Sequence, residues 1–228
     1  MCRTESGRRL CCTLLALLIG LTGCAGMPQQ TEKAALRKPE VAPKARRSEV
    51  MVERDGAYGF TMSEVVRIGS DVRRDYQQAV ILLRTNQFSA GAALLETVVA
   101  RAPEVTIPHI DLGMAYVQLG ELDKAETELR TALSLAPNHP VALNELGILQ
   151  RRTGRFDAAR DSYQQVLAIH PGFHYALLNL GVLCDLFLED LGCALESYSR
   201  YSQIVVDDPE VGIWIADVEN RLRQAGGE

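Results

Sequence analysis

Pro103, Pro137 and Pro171 stand thirty-four residues apart. A fixed period of that length turns the fold question into one of stacking, because each unit is a supersecondary motif too small to bury its own apolar face. Between the prolines a pattern recurs: Leu112-Gly113, Tyr116, Ala125, Leu129, Ala132 and Pro137, then Leu146-Gly147, Gln150, Ala159, Tyr163, Val166 and Pro171. Gly113 and Gly147 sit on helix-forming stretches where a side chain would hold a partner helix away, and Ala125 and Ala159 are the small residues expected opposite them. The connections Gly120–Asp123 and Gly154–Asp157 predict a tight antiparallel pair, with Gly ending the first helix and Asp capping the second.

On these residues the chain resembles the tetratricopeptide repeat family. That resemblance implies an all-α fold, a right-handed superhelical array of antiparallel helix pairs closed by a C-terminal capping helix. Repeats are expected over 106–139 and 140–173, with a degenerate one over 72–105, where Ala79 and Gly91 exchange the two small positions. A further repeat over 174–208 must absorb four extra residues before Pro209, one at its turn and three in its second helix. Residues 209–228 form the expected cap, with Val211, Ile215, Val218 and Leu222 on one face and Glu219, Arg221, Arg223 and Gln224 mostly opposite.

In this family the first helix of each pair lines a concave groove. Carried over by position, the groove comprises Ile107, Ile110, Met114, Val117 and Gln118, then Val141, Asn144, Ile148, Arg151 and Arg152, then Tyr175, Leu178, Val182, Asp185 and Leu186. About half are expected to be exposed, the rest serving as packing between repeats. Such a surface suits a peptide or helix of a partner protein, with Asn144 able to hold a peptide backbone and Tyr175 an anchor. The cationic carboxylate clamp of the family's chaperone-binding members is absent, since Tyr175 stands where a Lys would be. Arg151 and Arg152 can still attract an acidic segment, and association of two copies through edge helices is open.

The first residues read differently. Arg3, Arg8 and Arg9 precede an apolar run from Leu10 to Leu21, the order of a secretory signal peptide and too short to span a bilayer. Leu21-Thr22-Gly23-Cys24 then resembles the lipobox of bacterial lipoproteins. The resemblance implies cleavage after residue 23, with Cys2, Cys11 and Cys12 lost, and a covalent diacylglycerol and N-acyl chain (palmitate class) on Cys24. The residue after the Cys is Ala25 rather than Asp, which favours the outer membrane, facing the periplasm, as the place in the cell envelope. Residues 24–60, rich in Gln, Lys, Arg, Glu and Pro, are expected to be a disordered tether, with a lead-in segment over 61–71. Residues 61–228 hold 14 bases and 23 acids, a net charge of −9 that offers nucleic acid no positive face.

No catalytic constellation emerges. His170 and His174 have the spacing of a metal pair, but Pro171 and Gly172 break the helix that spacing needs, so no metal is expected. Cys184 and Cys193 flank a turn, and either a disulfide locking that hairpin or two buried small residues fits. Phosphate loops, nucleophile elbows and Cys-x-x-Cys are missing from the sequence, so neither an enzyme nor a dissociable cofactor is expected. The function expected is a membrane-anchored scaffold for an envelope protein complex. The alternatives are a pilotin-like factor for type IV pilus secretins, an accessory protein of a TonB-type system, or a non-catalytic regulator of a cell-wall enzyme.

Overall fold

The computed structural model describes residues 50–55, 59–64 and 68–226. The chain divides into two units, Met1–Ala42 and Pro43–Glu228, and every described residue belongs to the second. The expected signal peptide, Cys24 and residues 24–49 of the expected tether lie outside the described residues.

Among the described residues there are nine helices, all but the last arranged as antiparallel pairs: α1 (Ser70–Arg84) with α2 (Phe88–Arg101), α3 (Thr106–Leu119) with α4 (Leu122–Leu135), α5 (Pro140–Arg152) with α6 (Phe156–Ile169), and α7 (His174–Leu186) with α8 (Leu191–Ser202). The last, α9 (Pro209–Gly226), packs on α8. The odd-numbered helices α1, α3, α5 and α7 also touch in succession and so form one layer of an all-α array. The two largest core clusters share Leu133 and Val141 at their borders, so the apolar interior runs on from repeat to repeat.

Close approach within each pair depends on a missing side chain. A Cβ on Gly147 would lie 2.5 Å from the Tyr163 ring, one on Gly181 2.4 Å from the Tyr198 ring, and one on Gly113 2.9 Å from Leu129. The group opposite each Gly is therefore the large residue one turn after the Ala; at Gly113 the Ala125 carbonyl oxygen lies farther off, at 3.4 Å. In the first pair Gly91 faces Leu83 at 2.5 Å, with the carbonyl of fully buried Ala79 behind it. The turns place a left-handed residue at Asn86, Gly120, Gly154 and Glu189, which reverses the chain within a few residues.

Three expectations are corrected. Asp123 and Asp157 are not caps: α4 and α6 begin after Glu121 and Arg155, and both Asp residues lie inside the first turn, where they face the positive end of the helix dipole. The three extra residues before Pro209 do not lengthen α8, which stops at Ser202. They extend the connection 203–208, where Asp208 accepts from the Tyr201 hydroxyl at 3.0 Å and from the Glu210 N–H at 3.1 Å. That second bond satisfies an N–H at the start of α9, so helix is exchanged for a capped turn.

The third correction concerns the tether. Residues 50–55 and 59–60 are not disordered chain: β1 (Val50–Asp55) pairs antiparallel with β2 (Gly59–Glu64), in register from Val50 opposite Glu64 to Asp55 opposite Gly59. The sequence signal is the β-prone run Val50-Met51-Val52 and the alternation of Phe60 and Met62 with Thr61 and Ser63, a signal outweighed by the Lys- and Pro-rich stretch before it. Glu64 then reaches the start of α3, accepting the N–H of Thr106 at 2.9 and 3.0 Å and that of Ile107 at 3.2 Å. Its own N-cap residue, Val105, supplies no side-chain bond to α3, so Glu64 satisfies donors that would otherwise be orphaned.

Candidate functional site

The layer of odd-numbered helices carries the expected groove positions, and the structure sorts them by exposure. Met114 and Gln118 are exposed on α3 and line a cleft of about 430 Å³ between α1 and α3, walled also by Tyr76, Leu83, Arg84 and Asp111. Tyr175 is 56% exposed at the start of α7, its ring tilted against that of His174 with centroids 4.0 Å apart. Ile148, Leu178 and Val182 are half-buried and pack on the core, whereas Ile110 and Val117 lie inside it.

Asn144 is buried, and its amide is already engaged. Its Nδ2 donates to Glu145 at 3.2 Å, and its Oδ1 accepts from Asn179 Nδ2 at 3.1 Å. The amide therefore ties α5 to α7 instead of standing ready for a peptide backbone. Burial alone raises the Glu145 carboxyl to about 7, with the Asn144 amide pulling the other way. A related bond joins α1 to α3, where the Tyr76 hydroxyl donates to Asp111 at 2.7 Å. There burial lifts both groups above their ordinary ranges, and the Asp111 carboxylate lifts Tyr76 further. Tyr76, Asp111, Glu145 and Asn179 were not among the carried-over positions. The signal that points to Asp111, Glu145 and Asn179 is the polar residue directly after groove positions 110, 144 and 178, repeated at the same place in successive units, and Tyr76 stands one period before position 110.

The two arginines differ. Arg152 is exposed and donates to the Val117 carbonyl at 3.0 Å, completing the C-terminal end of α3. Arg151 is half-buried and lays its guanidinium over the Phe187 ring, 5.7 Å from the centroid. Asp185, expected in the groove, is buried and paired with Arg221 of α9 at 2.6 Å, so Arg221 belongs to the packed side of the capping helix and not to its far face.

Cys184 and Cys193 form a disulfide across the α7–α8 turn, with Cα atoms 5.8 Å apart. Asp190 lies close enough to complete a metal-like triad with them, but both sulfurs are bonded, and Asp190 Oδ1 accepts the Cys193 N–H at 3.0 Å as the cap of α8. The histidines are spread through the fold. His109 bridges Glu128 and the Pro103 carbonyl at 2.7 and 3.1 Å, His139 caps α5, His170 ends α6 and His174 begins α7. Among the described residues no helix is long and apolar enough to cross a membrane.

An all-α array of antiparallel helix pairs, each locked by a glycine under a large side chain, defines a solenoid repeat protein. Residues 104–171 match the tetratricopeptide repeat family, and the array is a tetratricopeptide repeat array. No curated protein matches the sequence. Solved structures share the fold. MamA (41-end) from Desulfovibrio magneticus RS-1 is 19% identical, with a TM-score of 0.60, 68% of this chain and 87% of that one covered. Pseudomonas aeruginosa pilF is 19% identical, with a TM-score of 0.61 over 67% and 69%. TTC0263, a thermophilic TPR protein of Thermus thermophilus, is 23% identical, with a TM-score of 0.59 over 65% and 81%. The fold is one of protein–protein interaction scaffolds, whose members are generally non-catalytic.

Proposed function

We propose that this protein is a non-catalytic scaffold of the bacterial envelope, fixed to the outer membrane through acyl chains on Cys24 and holding a segment of an envelope protein in its groove. The observation that carries the groove reading is the exposure of Met114, Gln118 and Tyr175 on the layer of odd-numbered helices, the first two at the cleft between α1 and α3. An extended or helical segment laid across them buries apolar surface at both ends, with polar contacts between. The lipobox residues Leu21 to Cys24 support the anchor, since two or more acyl chains hold a protein stably on a bilayer where one does not.

A photo-crosslinking residue at Met114 or Tyr175 of the full-length protein, irradiated in living cells, tests the groove. The same dominant envelope protein should be captured from both positions and not from a control on the outer layer, such as Thr127. Capture from the control alone overturns the reading. Metabolic labelling with an alkyne fatty acid tests the anchor: label should be incorporated and then lost on Cys24→Ala, and label retained in that variant excludes Cys24 as the acylated residue.

A further inference from the structure

Arg151 differs from the arginines of the helices around it that are held in ion pairs. Arg155 pairs with Glu126 at 2.7 Å, Arg160 with Asp190 at 3.3 Å, and Arg221 with Asp185 at 2.6 Å. Among the described residues no carboxylate lies within ion-pairing distance of Arg151. Its Nε is buried without a well-aligned hydrogen-bond partner, and the neutral group it sits beside is the buried hydroxyl of Tyr163. The two are neighbours by construction. The Tyr163 ring fills the space over Gly147, one turn before Arg151 on α5, and the guanidinium beside its phenol offsets part of the rise that burial imposes on it.

A cation left half-buried without a counter-charge is costly, and in a body whose residues 61–228 sum to −9 it is also out of keeping with its surroundings. Its platform is unusual too. Phe187, beneath the guanidinium, is itself 41% exposed, and Leu186 beside it 66%. On the repeat before, Met114 is 38% exposed. Exposed apolar surface thus lies under the cation and again on the preceding repeat, so a chain that brings an acid to Arg151 has apolar surface to run toward in each direction.

We propose that Arg151 is a receptor for the side-chain carboxylate of an Asp or Glu within the partner segment, whose adjoining apolar side chains rest on Phe187 and Leu186 on one side and Met114 on the other. The carboxylate takes the outward guanidinium N–H groups, a charge-assisted contact whose position is set by the cation–π contact with Phe187. Tyr163 is a positioning residue that braces the guanidinium from behind. This rests on the groove reading above and names the chemistry it selects.

The test uses the full-length protein and a displayed library of random segments with fixed flanks, so that no segment offers a free carboxyl terminus. Selected segments should carry Asp or Glu next to an aliphatic or aromatic residue, at least about threefold above the unselected library. The best segment, resynthesised with amidated ends, should bind Arg151→Gln about tenfold or more weakly, a loss of the size a buried charge contact carries. Arg151→Lys should recover part of the loss, and Arg152→Gln, which removes the same charge next door, should bind nearly as the parent does. Thermal midpoints of all three variants separate folding from recognition. Segments selected without acidic residues, or equal losses for Arg151→Gln and Arg152→Gln, overturn the carboxylate receptor and leave the groove standing. Failure to select any segment overturns both.

Discussion

At the scale of single residues, Gly147 shows how an absent side chain sets a contact. A methyl there would lie 2.5 Å from Cε1 of Tyr163, a ring with no exposed surface and nowhere to move. Gly147→Ala should therefore lower stability in urea unfolding by about 1–3 kcal/mol, despite the better helix propensity of Ala, because overpacking outweighs it. Glu145 offers a pH-dependent test. Its folded value of about 7 lies above its ordinary 4.5, so the neutral acid belongs to the fold and the charged form to the unfolded chain. The cost is nil below the unfolded value, grows as pH rises through this interval and is complete above the folded value. Glu145→Gln should thus leave the midpoint unchanged near pH 4 and stabilise by about 2 kcal/mol near pH 8, as a pair of denaturation series will show. The Leu-Gly spacing made Gly113 and Gly147 legible in the sequence. The Asn144 and Asn179 bridge was not, because a repeat position says which layer a side chain joins but not which neighbour its amide can reach.

Among the elements, helix pairs were the readable part, since their apolar and small residues recur at the helical period and each turn is punctuated by a residue suited to a left-handed backbone. Caps were less readable. Asp123 looks like a cap by residue type but sits a position inside α4, while the donors of α3 are met by Glu64, forty-two residues away in sequence. Such a long-range cap leaves no local pattern to find. Glu64→Ala should cost about 1–2 kcal/mol, the usual worth of a cap. Hydrogen exchange should quicken at Thr106, Ile107 and the strands while α5 to α8 keep their protection; unchanged exchange at Thr106 would show that the cap contributes nothing. The disulfide closes a short loop around the turn in which Glu189 is left-handed. Its reduction should lower stability by about 2–3 kcal/mol, read as a drop in thermal midpoint on adding a reductant.

For the whole molecule, stability adds up along the array from each repeat and the interface with its neighbour, so the ends decide where opening begins. The capping helix closes one end with Val211 and Val218, both fully buried, and with Arg221 on the nearly buried Asp185. Arg221→Ala leaves that carboxylate with only the distant Tyr198 hydroxyl, at 3.4 Å, and should cost about 1–3 kcal/mol. Exchange should accelerate in α8 and α9 while α3 and α4 hold, and a uniform loss across the array would mean that it unfolds as one unit. The hairpin at the other end has a mechanical consequence. Val50, where the preceding chain arrives, is paired with Glu64, where the chain departs for the helices, so both points of attachment lie at the same end of the ladder. Tension entering at Val50 peels the strands apart one rung at a time instead of shearing all of them together. Once peeled, residues 50–64 release roughly 50 Å of extended chain while the helical array stays intact, which makes the hairpin a compliant reel in series with that array.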